Sequence, residues 1–144
     1  MIIGVIGTFI AIMAFAVLLE TPRKYLIPAA IVGALGGFVY LLGIRLELDV
    51  VLSSFLSALS VSFLSHIFAR IYKAPVTLFL VAGILPTVPG GGMYEIVSHI
   101  IGGFPSASIY YLIQTLEIAG VIALAIFVVD SVFRVKKNRG KNSV

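Results

Sequence analysis

The chemically most distinctive part of the chain is a run of proline and glycine inside an otherwise apolar stretch. Pro86, Pro89 and the three glycines Gly90, Gly91 and Gly92 fall within seven residues. Proline lacks a backbone N–H and fits badly inside a helix, and glycine adds backbone freedom. The run therefore predicts a break between two half-helices, at about residues 75–85 and 93–101.

A break of this kind is predicted to bind a small carboxylate. The second half-helix would begin near Gly92 and present free N–H groups and a positive dipole end, which favour an anion. Discontinuous helices form the substrate sites of many transporters. The candidate substrate-binding residues are Pro86, Thr87, Pro89, Gly90, Gly91, Gly92 and Tyr94. A simple kink packed against its neighbours is the alternative interpretation.

Two glutamates follow the break and are candidates for proton coupling. Helix rise puts Glu117 roughly 12 Å and Glu95 about 9 Å from the outer ends of their segments, so that they share a depth. A carboxylate there is costly unless it is paired or protonated. Gln114 shares a helix face with Glu117, and His66 and His99 are further relay candidates. Alternatively, Glu117 is neutral and bonded to another helix or chain, and Glu95 only stabilises its own helix start.

Small residues mark two helix-packing faces. Such residues let membrane helices approach closely, and hydroxyls bond across the gap. The predicted faces are Gly33 and Gly37 in one segment and Ser53, Ser57 and Ser60 in the next. The serines have a second interpretation, as the lining of a polar path.

Composition points to a membrane protein. Of 144 residues, 60% are hydrophobic and 11% charged, whereas a soluble domain is about a quarter charged. The sequence has no Cys, and it contains no nucleotide loop, no cluster of metal ligands and no nucleophile beside a base. We therefore expect no enzyme activity, no cofactor, no metal and no nucleic-acid partner.

Charged residues divide the chain into five predicted spans. They lie at about 1–19, 25–43, 50–69, 75–101 with the break, and 109–129, each near the 20 residues that cross a bilayer. The fold class is an all-α integral membrane bundle of about five transmembrane helices. The transmembrane domain is predicted at 1–134 and a basic cytoplasmic tail at 135–144.

The distribution of Lys and Arg predicts the orientation. Five spans with the N-terminus outside place nine of the ten Lys and Arg residues inside. A re-entrant broken segment would place at most six inside. We therefore expect a multi-pass protein of the plasma (inner) membrane, with its C-terminus in the cytoplasm.

The motif at the break resembles a known family signature. Residues 83–94 read GILPTVPGGGMY, which is similar to the G-I-L-P-L-V-P-G-x-x-x-Y signature of the threonine/serine exporter family. The likeness is greatest to its small stand-alone membrane component, as in two-component succinate exporters, and covers nearly the whole chain. Thr87 stands where the family often has Leu.

The resemblance implies a subunit of a proton-coupled exporter of small carboxylate metabolites. The substrates would be threonine and serine, or a dicarboxylate such as succinate. It also implies a larger membrane partner of the same family, and we keep a homo-oligomer open. The alternatives are a non-transporting scaffold subunit and a passive channel component.

Overall fold

The computed structural model describes residues 1–141, and these begin with three antiparallel helices. They are α1 (Ile2–Leu18), α2 (Arg23–Arg45) and α3 (Val50–Tyr72). The Asp49 carboxylate caps α3 by accepting a hydrogen bond from the Val51 N–H at 3.1 Å. Lys73 ends α3 in the left-handed conformation.

The fourth predicted span is broken, as expected, but its second half begins earlier. It consists of α4 (Val76–Ile84), a 3-10 turn (Leu85–Thr87) and α5 (Gly90–Ile101). The two halves bend by 46°. The three glycines were predicted to lie in the break, yet they form the first turn of α5. Glycine costs a helix about 1 kcal/mol relative to alanine but readily adopts helical backbone angles, so a run of three does not prevent the helix from starting there.

The last helix, α6, is longer than its predicted span. It runs from Pro105 to Lys141 without interruption, whereas the sequence suggested an end near residue 129. Asp130 and Arg134 form a pair within the helix at 2.7 Å, so these charges support the helix and do not end it. The last three residues of the predicted tail lie outside the described residues.

The helices form an all-α membrane bundle of about five helices. Three of them, α2, α3 and α6, are long and apolar enough to cross a membrane, and α4 and α5 taken together as a bent pair meet the same criterion. The remaining helix, α1, is apolar with 17 residues, the lower limit of what can span. Packing places α3 between α2 and α6, with α1 against α2 and α4 against both α2 and α3.

Two glycines allow α1 and α2 to approach each other closely. A Cβ added at Gly33 would overlap Ile12, and one added at Gly37 would lie 2.7 Å from Thr8 Cγ2. Ile12 is fully buried by this approach. These two predicted packing residues therefore lie in the contact between α1 and α2.

Serines lie in the contact between α3 and α2, and one of them, Ser57, bonds across it. Ser53 is fully buried where α3 passes Gly43, and the Ser57 hydroxyl donates to the Gly36 carbonyl oxygen at 2.8 Å. Ser60 differs, because its hydroxyl donates to Leu56 O of its own helix. Ser53 and Ser57 thus lie in the α2–α3 contact, and Ser60 is less buried than either.

The basic residues collect at one end of the bundle. Helices α3 and α6 run parallel, because Ala58 packs near Ile118 and, further along, His66 lies near Asp130. The ends of α3 and α6 are therefore neighbours, and the α4–α5 segment between them must reach the other end. The start of α2 joins the same group, since the rings of Tyr25 and Tyr72 are 6.1 Å apart.

Candidate functional site

A cavity of about 430 Å³ lies beside the break. Its walls come from the break and from α2, α3, α5 and α6, and its volume falls in the range of small-molecule sites. The break and the start of α5 both contribute to the lining, whereas α4 does not. The side chains that give it polar character are Tyr40, Ser54, Thr87, Tyr94, Glu95, Tyr111, Gln114 and Thr115.

The start of α5 supplies hydrogen-bond donors to this cavity. No side chain caps the helix, whose N-cap residue is Pro89. The first N–H groups of a helix lack an intrahelical acceptor, and here Gly91 and Gly92, which carry two of them, line the cavity. One wall is therefore a positive helix end, which suits a carboxylate.

Thr87 anchors the break to α2 and α3. Its Oγ1 lies 3.1 Å from Ser57 Oγ, while Ser57 donates its proton to Gly36 O. A hydroxyl has a single proton, so Thr87 is the donor to Ser57. The Thr87 oxygen keeps acceptor capacity on the side that lines the cavity.

Glu95 lies in the same cavity wall, one turn past the start of α5. It is half-buried, and His99 Nδ1 lies 3.4 Å from Glu95 Oε2 and 2.8 Å from the Glu95 carbonyl oxygen. The His99 ring stacks on Tyr111 with centroids 5.1 Å apart. A carboxylate that faces the cavity is thus in contact with a histidine behind it.

The comparison with protein families identifies the chain. The family model described as Threonine/Serine exporter, ThrE, matches residues 4–132. The chain belongs to this exporter family. The match includes every residue of the cavity, and it makes the protein a multi-pass membrane component of the transport type. Searches of curated proteins and of solved structures give no match.

Within this exporter-family protein, the structure brings most of the predicted site residues together. Glu95, Gln114, Thr87 and Tyr94 line the cavity, as do Pro86, Pro89, Gly91 and Gly92. Gly90 is in the first turn of α5 but is not part of the lining.

Glu117 and His66 are not brought to the cavity. On α6 the lining stripe contains Gln114, Thr115 and Ile118, and Glu117 lies on the adjacent, exposed face. The shared depth proposed for the two glutamates therefore does not bring them together. His66 lies near the basic end, with its Nε2 3.6 Å from Asp130 Oδ1.

Four polar lining residues were not predicted: Tyr40, Ser54, Tyr111 and Thr115. Each is distant from the break in sequence and reaches it only through helix packing. Ser54 and Thr115 had a weak signal, since one belongs to the serine run and the other follows Gln114. No feature of the sequence pointed to the two tyrosines.

Proposed function

We propose that this chain is the subunit of a proton-coupled exporter that binds threonine or serine in the cavity beside the break. The observation that carries the proposal is that the α5 N-terminus and Glu95 line one cavity. A zwitterionic amino acid needs both features. Its carboxylate binds the amides of Gly91 and Gly92, and its ammonium group binds Glu95.

The charge of the lining favours an amino acid over a dicarboxylate. Among the residues that line the cavity there is one carboxylate, Glu95, and no Lys or Arg. Succinate would bring two negative charges beside this carboxylate, and like charges repel strongly away from bulk water. Threonine and serine add no net charge, and Thr87, Ser54 and Thr115 offer partners for their hydroxyl group.

The contact between Glu95 and His99 supports coupling to protons. We propose that ionised Glu95 holds the substrate ammonium group in the inward-open state. A proton that arrives from outside neutralises Glu95 and releases the amino acid. Protonated Glu95 returns to the cytoplasmic side and loses its proton there, whereas His99, one turn nearer the outer end of α5, contacts Glu95 on the side from which the proton arrives. One amino acid leaves for each proton that enters, which gives antiport.

The test is efflux of labelled threonine from preloaded vesicles under an imposed pH gradient. Glu95→Gln should lower efflux at least about tenfold, because a charge-assisted hydrogen bond contributes about 1.5–3 kcal/mol. Glu47→Gln, an exposed glutamate beyond the end of α2, is the matched control and should export normally. Full pH-dependent export by Glu95→Gln would disprove the proposed role of Glu95. In the unmodified protein, a flux that does not depend on the imposed pH gradient would instead indicate a passive channel.

We also propose that a larger membrane partner of the same family covers α5 and the adjacent face of α6. No residue of α5 is buried, and Met93, Val97 and Ile101 are all more than half exposed. Glu117 is exposed on α6, and an acidic residue that faces lipid costs about 2.5–3.5 kcal/mol near the membrane centre. A protein surface that pairs with Glu117 removes this cost.

Co-purification with the partner tests this interface. Glu117→Arg should reduce recovery of the complex, whereas Glu117→Gln, which can still donate and accept hydrogen bonds, should retain most of it. Gly91→Val, which fills the cavity wall, should abolish export while the complex still forms. If Gly91→Val exports normally in an intact complex, the chain is a scaffold and the partner holds the substrate.

A further inference from the structure

A second cavity, of about 280 Å³, lies at the basic end of the bundle. It is enclosed by the last turns of α3, the start of α4 and the part of α6 beyond Asp130. Its lining includes the cationic side chains of Arg70, Arg134 and Lys137, together with His66 and Phe133. The substrate cavity is lined by other residues entirely, so the two are separate.

The charge at this cavity is unbalanced. Arg134 Nε pairs with Asp130 Oδ2 at 2.7 Å, and the same carboxylate is 3.6 Å from His66 Nε2. Arg70 has only a ring as partner, with its guanidinium carbon 4.8 Å from the Phe133 centroid. One carboxylate thus faces three cations, and among the described side chains Arg70 and Lys137 have no ion pair.

An apolar surface continues from the cavity toward the middle of the bundle. The rings of Phe63 and Phe133 are 5.7 Å apart, and Phe63 is half exposed two turns deeper on α3 than Arg70. A ligand at this site would therefore have its anionic group among the cations and its apolar part along Phe133 and Phe63. A phospholipid has this arrangement, and a soluble anion does not.

We propose that this cavity binds the phosphate headgroup of an anionic phospholipid of the cytoplasmic leaflet. Basic pockets between transmembrane helices on that side bind such headgroups. The other cations of the same end, including Lys24 and Lys73, add attraction but do not line the cavity. The choice of leaflet rests on the proposed orientation, whereas the binding itself does not.

Native mass spectrometry of the full chain in detergent, titrated with phosphatidylglycerol or phosphatidylcholine, tests the site. The double variant Arg70→Gln/Lys137→Gln should weaken phosphatidylglycerol binding about 25-fold, or about fivefold per cation. Arg23→Gln/Lys136→Gln removes the same charge from the same end but outside the cavity, and should weaken binding less than about twofold because salt screens charges that do not contact the headgroup. Arg70→Lys/Lys137→Arg should bind normally, and circular dichroism checks that each variant is helical.

Three results would overturn the proposal. Equal weakening by the two charge-removing doubles would show diffuse attraction to the surface. Displacement of the lipid by inorganic phosphate would show a soluble-anion site. Displacement by threonine would make the cavity part of the substrate path. Glu95→Gln should bind phosphatidylglycerol normally, so that failure of the lipid site and failure of the proposed transport function are distinguishable.

Discussion

At the scale of single residues, Thr87 connects the break in the fourth span to the rest of the bundle. Its hydroxyl donates to Ser57, whose own proton goes to Gly36 on α2. Three elements therefore meet in two hydrogen bonds at the depth of the cavity. A threonine at this position therefore fixes the break in a residue that also lines the cavity.

Replacing Thr87 by valine tests this connection. The shape is kept, but the donor to Ser57 is lost, which should lower stability by about 1 kcal/mol and reduce threonine efflux. Thr87→Ser keeps the hydroxyl and should restore both. Thr77→Val, at an exposed threonine of α4, is the control. Thermal unfolding in detergent and efflux from vesicles are the measurements, and unchanged values for both in Thr87→Val would contradict the assignment.

The sequence was enough to select candidate residues near the break, but it did not predict the direction in which each side chain points. Gln114 was selected for its helical spacing from Glu117, and Pro86 and Glu95 were selected because a charged or helix-breaking residue is unusual in an apolar segment. Glu117 was selected by the same argument, yet it lies outside the cavity. Depth along a helix follows from counting residues, whereas the direction of a side chain depends on which neighbour the helix packs against.

At the scale of elements, the approach of α5 to α6 depends on one glycine. A Cβ added at Gly92 would overlap Thr115 Oγ1, whereas Gly90 and Gly91 have open space. All three are helical with ordinary backbone angles, since the one glycine with positive φ among the described residues is Gly103. The glycine run thus matters here for close packing at Gly92, beside the cavity.

Gly92→Ala should therefore push the start of α5 away from α6 and lower threonine efflux several-fold. Gly90→Ala adds the same methyl group in the same helical turn, but outside the cavity lining, and should have little effect. Ala also favours the helix over Gly by up to about 1 kcal/mol, so lost helix propensity cannot explain a defect. Efflux assays on the two variants, matched for expression, decide the point. Equal activity would show that the contact tolerates the methyl group.

The presence of each helix could be predicted from the sequence, but the residues at which the helices begin and end could not. The sequence placed spans between charged residues because charges mark the edge of the hydrocarbon region. The helices, however, continue past these charged residues. Arg23 begins α2, Arg45 ends it, and α6 passes Asp130 and Arg134, because the backbone of a helix stays hydrogen-bonded in water as well as in lipid. The Asp130–His66 contact, which joins two distant helices, had no local signal.

At the scale of the whole molecule, the parallel course of α3 and α6 gives the charge distribution a structural basis. The starts of α2 and α4 and the ends of α3 and α6 lie together, and this end holds Arg23, Lys24, Arg70, Lys73 and the basic run from Arg134. Arg45 lies at the opposite end. The positive-inside rule then predicts that the basic end faces the cytoplasm, and this prediction includes a crossing by the α4–α5 segment.

Cysteine labelling in whole cells tests this arrangement, and the chain contains no native Cys to interfere. Glu47→Cys and Ser106→Cys, both exposed at the end away from the basic residues, should react with an impermeant maleimide added outside. Lys24→Cys and Lys136→Cys, both exposed at the basic end, should react only after the membrane is permeabilised. If Ser106→Cys also reacts only after the membrane is permeabilised, the broken segment enters and leaves the membrane on the same side. The α4–α5 segment would then not cross, α6 would run in the opposite direction, and the proposed cytoplasmic location of the basic tail would be wrong.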